Sequence, residues 1–203
     1  MTAAEKLAMT YAEYLALERA STERHQFVEG VAYAMAGGSP THSRLAVRVS
    51  VALANLLQPG RGHCDVYSSD AKIHVLASGD SYYPDVSVVC DPVAVAPMDA
   101  NAMTNPTLLV EVLSDTTERF DRGSKFADYR RIPSLRHYVL VAQDAVRVEH
   151  FVRNDDATWT LSVAQEGGVV RLQDLGGELR VDAIYRDVAL AEATGAAGVT
   201  KAL

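Results

Sequence analysis

Two carboxylates in this chain lie where a carboxylate is costly to bury. Asp85 follows Pro84 in the run YYPDVSVVC, and Glu111 lies in the middle of TLLVEVLS. Both runs read as apolar strands, and a carboxylate inside one needs an ion pair or a metal ion. Carboxylates on neighbouring strands can converge on one hard cation. Mg²⁺ (or Mn²⁺) suits such a pair, because Mg²⁺ takes one or two carboxylates and leaves its other positions to water and substrate phosphate. A metal held this way can activate a water and stabilise charge developing on a phosphodiester. The structural alternative is that Asp85 opens a strand at a surface turn and Glu111 pairs with an arginine. Val110, Val112 and Leu113 flank Glu111 and weigh against that alternative there.

Other groups surround this pair in the sequence. Arg122, Lys125 and Tyr129 share one helix face by spacing, and a lysine beside the metal could orient water or offset phosphate charge. Asp121 stands one turn before Lys125, so spacing alone favours an ordinary solvated pair worth about 0.2–0.5 kcal/mol. Asp70 opens the strand-like AKIHVLA run and is a third candidate metal ligand. Glu29 precedes Gly30, which by itself reads as turn chemistry. His42 falls in the first turn of a helix, where capping outweighs phosphate binding as an explanation. His63, His74 and His137 show no ligand spacing, and Glu149 and His150 fall on opposite faces of a strand. Trp159 reads as a hairpin packing residue.

The elements that must position these groups follow from periodicity and punctuation. Thr10 with Glu13 forms a capping-box signature for a helix running to about Ala20. HQFVEG and VAYAMAG read as a hairpin turning at Gly30. Ser39-Pro40 starts a helix over residues 40–58, with Leu45, Val49, Leu53, Leu56 and Leu57 at helical spacing. Strands follow in CDVYSS, AKIHVLA and YYPDVSVVC, and residues 91–106 read as a loop. A strand over Leu108–Leu113, a charged helix over 119–131, a strand over Leu135–Ala142 and a hairpin around Asn154-Asp155-Asp156 complete the series. This order predicts an α/β (α+β) fold, a mixed central sheet flanked by helices, with an N-terminal helix and hairpin. Residues 1–190 read as one domain and 191–203 as a disordered tail.

The bulk numbers fit that picture. The chain has 203 residues, 48% hydrophobic and 22% charged, which is ordinary globular composition. A net charge of −7 argues against a general nucleic-acid binder but leaves room for a DNA enzyme whose acidic ligands hold a metal. Cys64 and Cys90 have no zinc-type spacing and read as two reduced thiols of a cytoplasmic protein. The segment MTAAEKLAMTYAEY has no apolar signal-peptide core, and no apolar run approaches the roughly 20 residues that span a membrane.

The run YYPDVSVVC followed by NPTLLVEVLSDTTERFDRGSKFADYRRIPSLRHYVLV resembles the Uma-type bacterial restriction-endonuclease family of the PD-(D/E)XK nuclease superfamily. The upstream FVEGVAYAMAGGSPTHSRL resembles that family's opening segment, and the likeness spans about residues 10–153. It implies a restriction-endonuclease-like fold and a Mg²⁺-dependent endonuclease acting on DNA. Asp85 matches the Asp of the PD element and Glu111 the acid of the (D/E)XK element. Asp70, Glu29 and His42 match positions that the family pattern also holds, and Asp121, Lys125 and Tyr129 match its D-x(3)-K-x(3)-Y helix. The lysine of the superfamily pattern, two residues after Glu111, is replaced by Leu113, so Lys125 is the expected substitute. A catalytically inactive nucleic-acid- or partner-binding module with the same fold is the alternative. Nucleases of this type often act as homodimers so that two sites meet two strands.

Overall fold

The computed structural model describes residues 8–35, 37–57 and 63–190. The disordered tail expected at 191–203, and the Pro59-Gly60 helix stop, lie outside the described residues.

Helix α1 (Tyr11–Ala20) starts at the expected capping box, with Thr10 and Glu13 bonding reciprocally. Strands β1 (His25–Val28) and β2 (Val31–Ala34) form the hairpin. Its turn takes positive φ at Glu29 (49°) and Gly30 (78°), conformations that glycine adopts freely and that explain the Gly30 signal. Helix α2 (Pro40–Leu56) begins at the Ser39 N-cap and buries Leu45, Val49 and Leu53. Then come β3 (Cys64–Ser68), β4 (Lys72–Val75), β5 (Asp80–Tyr82), β6 (Val86–Cys90), β7 (Val95–Ala96), β8 (Asp99–Met103) and β9 (Pro106–Val112). Short helices α3 (Glu118–Phe120) and α4 (Phe126–Tyr129) are joined by a π turn over Asp121–Lys125. Strands β10 (His137–Val141), β11 (Arg147–Arg153), β12 (Trp159–Gln165), β13 (Val169–Leu172) and β14 (Gly177–Arg180) precede α5 (Val181–Tyr185).

The central sheet runs β12-β11-β10-β9-β6-β3. Its β9–β10 pair is parallel and its other pairs are antiparallel. Alternation along the strands divides the core in two. Val86, Val88, Leu108, Val110, Val139 and Val141 pack on α2 and α5. Leu109, Tyr138 and Leu140 face the other way, onto Phe126 and Tyr129 of α4 and onto Ile73, Val75 and Tyr82 of a second sheet. That second sheet, β2-β1-β5-β4-β8-β7, makes the fold two mixed six-stranded sheets with a few helices.

Two expectations change, and one segment gains elements that its sequence pattern did not announce. Residues 91–106 are not a plain loop, since β7 pairs antiparallel with β8. Its Pro, Asp and Asn content marks a short edge hairpin, which turn composition alone does not distinguish from a loop. The segment after Gln165 adds β13, β14 and α5, which cover the α2 side of the core. Cys64 and Cys90 oppose each other across β3 and β6 with Cα atoms 3.9 Å apart, and their sulfurs are bonded. Register, which residue spacing does not report, brings them together. The inference of a reducing compartment from free thiols falls with it.

Candidate active site

Alternation on β9 decides the fate of Glu111. Leu108, Val110 and Val112 face α2, so Glu111 faces α4 and is only 4% exposed. It lies opposite Leu140 of β10, while Val86 of β6 lies opposite Val110. Asp85, the residue before β6, is thereby carried to the same end of the sheet. Its Oδ2 accepts a 2.7 Å hydrogen bond from the Val112 N–H and stands 3.2 Å from His42 Nε2.

His42 reaches Asp85 because of the Gly37-Gly38-Ser39-Pro40 entry to α2. A Cβ on Gly38 would come within 2.6 Å of His42 Nδ1, so glycine there leaves space for the ring. Ser39 caps α2 by accepting from the His42 N–H, and its hydroxyl also donates to Gln143 Oε1 at 2.7 Å. Gln143 Nε2 donates to the Leu113 carbonyl at 2.5 Å. Gln143 thus ties the start of α2 to the end of β9. The hydrogen bond to Asp85 holds the His42 imidazolium above the ordinary histidine range, against the opposing effect of burial.

Lys125 and Asp121 come from the π turn, where the wider winding and non-helical Gly123 turn both inward. Lys125 Nζ lies 2.7 Å from Glu111 Oε1 and 3.2 Å from Asp121 Oδ1, and Tyr129 OH donates to Glu111 Oε1 at 3.2 Å. The Asp121–Lys125 pair expected at the surface is instead buried, at 2% and 3% exposure. Arg122, expected on the same face, points away to Glu118 and Glu149.

The charges do not balance. Burial pushes the Glu111 carboxyl up to about 8, with Asp121 and Asp85 adding to the rise and Lys125 opposing it. Burial disfavours the Lys125 ammonium, but Glu111 and Asp121 outweigh it and hold it charged. The cluster carries more carboxylates than cations, and a proton or a metal ion must make up the difference.

Asp85, Glu111, Lys125, Asp121 and His42 line a pocket of about 730 Å³. Asp70 does not. It sits in the β3–β4 turn, 74% exposed, 2.6 Å from Arg24. Glu29 stays in its hairpin turn, where its N–H donates to Asp80. The correction has one cause: both residues belong to turns, and no strand carries them to the end of the central sheet. The pocket also recruits Gln26, Gln143 and Arg147, which sequence reasoning passed over. For Gln26 one signal existed, since it alternates with the core-facing Phe27. Gln26 Oε1 is shielded from solvent and has no hydrogen-bond partner among the described residues.

This donor set fits a hard cation. Asp85 and Glu111 supply carboxylate oxygens and Gln26 an unpartnered amide oxygen, with no sulfur ligand. Among the described residues no cluster of three or more His, Cys, Asp or Glu forms a protein cage. Such a set could hold only an ion that shares a few protein oxygens with water and phosphate, as Mg²⁺ does.

The family model Uma2, described as "Putative restriction endonuclease", matches residues 11–183. The uncharacterized protein slr1290 of Synechocystis sp. is 39% identical over 177 residues, covering 87% of this chain and 91% of that protein. A second uncharacterized Synechocystis protein, sll1609, is 36% identical over 162 residues, covering 80% and 90%. The crystal structure of a "putative nuclease belonging to DUF820" from Anabaena variabilis superposes with a TM-score of 0.70. That likeness covers 87% of this chain and 97% of the other at 14% identity, and concerns the fold alone.

Proposed function

The chain belongs to the Uma2 restriction-endonuclease family, and from that premise we propose that it is a Mg²⁺-dependent endonuclease hydrolysing DNA phosphodiester bonds at the Asp85–Glu111 pocket. The observation carrying this reading is the convergence of Asp85, Glu111 and Lys125 on one pocket with unbalanced negative charge.

Asp85 and Glu111 would hold the ion, with Gln26 as a further oxygen on the same wall. Bound there, Mg²⁺ supplies charge stabilisation at the phosphorus and lowers the pKa of water. The protein residues do the rest. The Val112 N–H and His42 fix Asp85 in one orientation. Tyr129 and Lys125 fix Glu111. Lys125 would take, from the π turn, the role that the superfamily gives to a lysine two residues beyond the acid. Its ammonium would orient the attacking water and offset charge on the phosphate. The contact between Lys125 and Glu111 supports this reading over the inactive module that the departure at Leu113 favours.

The test is cleavage of plasmid and linear duplex DNA with Mg²⁺, Mn²⁺ or EDTA. Asp85→Ala and Glu111→Ala should abolish metal-dependent cleavage while circular dichroism shows a folded protein. Full activity in either variant would falsify the assignment. Absence of Mn²⁺ binding at millimolar concentration by calorimetry would favour the inactive module.

A further inference from the structure

A nucleic-acid backbone entering this pocket meets an unfavourable lining. Six acidic residues face it, Asp85, Glu111, Asp115, Glu118, Asp121 and Asp144, against Lys125, Arg147 and His42, the last already bound to Asp85. A bound divalent ion offsets part of this charge, but phosphates beyond the ion's reach need a cation from the protein.

Lys125 is a poor candidate. It is 3% exposed, and Glu111 and Asp121 already occupy its ammonium. Arg147 differs in each respect. Its side chain is 36% exposed, and its nearest anion, Glu149 Oε1, lies 3.5 Å from Nε. Glu149 is itself engaged by Arg122. The Arg147 Nε is shielded and lacks a hydrogen-bond partner, and among the described residues the side chain makes no other ion pair. The backbone beneath it is fixed, since the Arg147 carbonyl accepts from the Ala142 N–H at 3.1 Å and from Tyr185 OH at 2.8 Å. The residue therefore presents, from a rigid strand start, a half-exposed guanidinium whose one ion pair is long and shared with Arg122. A guanidinium fork matches two phosphate oxygens, a geometry that a lysine point charge does not reproduce.

We propose that Arg147 is the positioning residue for the substrate backbone, receiving a phosphate next to the one being cut. This rests on the nuclease reading of the pocket and adds a contact that neither Asp85, Glu111 nor Lys125 can make.

The experiment is fluorescence anisotropy of a labelled duplex oligonucleotide with the full chain, with Ca²⁺ in place of Mg²⁺, across a salt series. Arg147→Gln should weaken binding on the order of tenfold whatever the sequence, and lower the slope of log Kd against log[salt] by about one phosphate contact. Arg147→Lys should keep the slope and lose part of the affinity. A calorimetric Mn²⁺ titration of Arg147→Gln should match wild type. Wild-type affinity and slope in Arg147→Gln would overturn the proposal, and so would an equal loss of Mn²⁺ affinity, which would make Arg147 part of the metal site. If Arg147→Gln does not fold, Arg147→Lys decides by the same measurements, and wild-type affinity there overturns the proposal. Failure of the wild-type protein to bind DNA would instead overturn the nuclease reading, and this inference with it.

Discussion

Among the described residues two lysines are buried, and they do opposite things. Lys72, 6% exposed, faces Asp99 at 2.9 Å in the second sheet, with the Tyr14 and Tyr83 rings 5.0 and 5.7 Å from its ammonium. Lys125, 3% exposed, faces Glu111 at 2.7 Å, with the Tyr82 and Tyr129 rings each 5.9 Å away. The local chemistry is nearly the same, but the charge count is not. Lys72 has one carboxylate, and desolvation of Asp99 is outweighed by Lys72, which holds that carboxyl below its ordinary range. Lys125 has Glu111 and Asp121 in contact and Asp85 close by, and Glu111 is pushed up to about 8. The Lys72 pair is complete as it stands. The Lys125 cluster is complete only with a further positive charge, and that difference sets it apart from a self-contained structural ion pair.

The sharpest way to break the comparison is to neutralise the surplus. Glu111→Gln should lower Mg²⁺-dependent cleavage by at least about a thousandfold, roughly 4 kcal/mol of transition-state stabilisation. Yet it should not lower the melting temperature of the metal-free protein at pH 8, because it removes a charge that burial disfavours. Steady-state cleavage and thermal melts on one sample decide this. Activity near wild type, or a large loss of stability, would make Glu111 an ordinary structural partner of Lys125.

Lys72→Met is the converse. It leaves Asp99 buried without its partner, which costs about 3–5 kcal/mol. At about 2–4 °C per kcal/mol in a chain of this size, the melting temperature should fall visibly. Mn²⁺ affinity, read by calorimetry below that temperature, should not move. A drop in metal affinity would show that the two centres are coupled.

The two centres should also differ in pH dependence. Glu111 is raised in the folded state, so folding favours its protonated form. Its contribution to stability is present at low pH and is lost as pH rises from the ordinary value of 4.5 through about 8. Asp99 is lowered, so its contribution is present above the ordinary value of 3.8 and is lost as pH falls through the depressed value. Melting curves in EDTA should therefore decline toward alkaline pH in wild type but less so in Glu111→Gln. Mg²⁺ should flatten the alkaline decline, because metal binding displaces the proton. An alkaline decline of equal size in wild type and Glu111→Gln would assign it to other groups.

How far the sequence reveals these centres depends on what positions each residue. Asp85 and Glu111 are legible because each breaks an apolar strand pattern, and strand alternation then dictates where Glu111 points. Capping at Thr10 and Ser39 is legible because it is local. The burial of Asp121 with Lys125 is not, because i,i+4 spacing is the same on a wet face and a dry one, and a π turn decides between them. Gln143 and Arg147 enter the site through register between β9, β10 and β11, and the Cys64–Cys90 bond through register between β3 and β6. Register is a property of strand pairs, which no single strand's composition reports.

The smallest effect expected is at Asp70, and its size is informative. The family resemblance assigns Asp70 beside Asp85 and Glu111, but the structure gives it to Arg24 in an open turn, at 74% and 49% side-chain exposure. An ion pair so exposed is worth at most about 1 kcal/mol, since water screens both charges and two side chains lose freedom to form it. Asp70→Ala should therefore leave cleavage and Mn²⁺ affinity within about twofold of wild type, a free-energy change below roughly 0.5 kcal/mol on the scale of 1.36 kcal/mol per decade. Arg24→Ala should match it, because each variant removes the same exposed contact. If Asp70→Ala instead lost metal affinity while Arg24→Ala did not, the β3–β4 turn would have to close over the pocket when metal or DNA binds. Asp70 would then supply negative charge to a cluster that already has too much, and the surplus that sets the Lys125 centre apart from Lys72 would call for more than one cation.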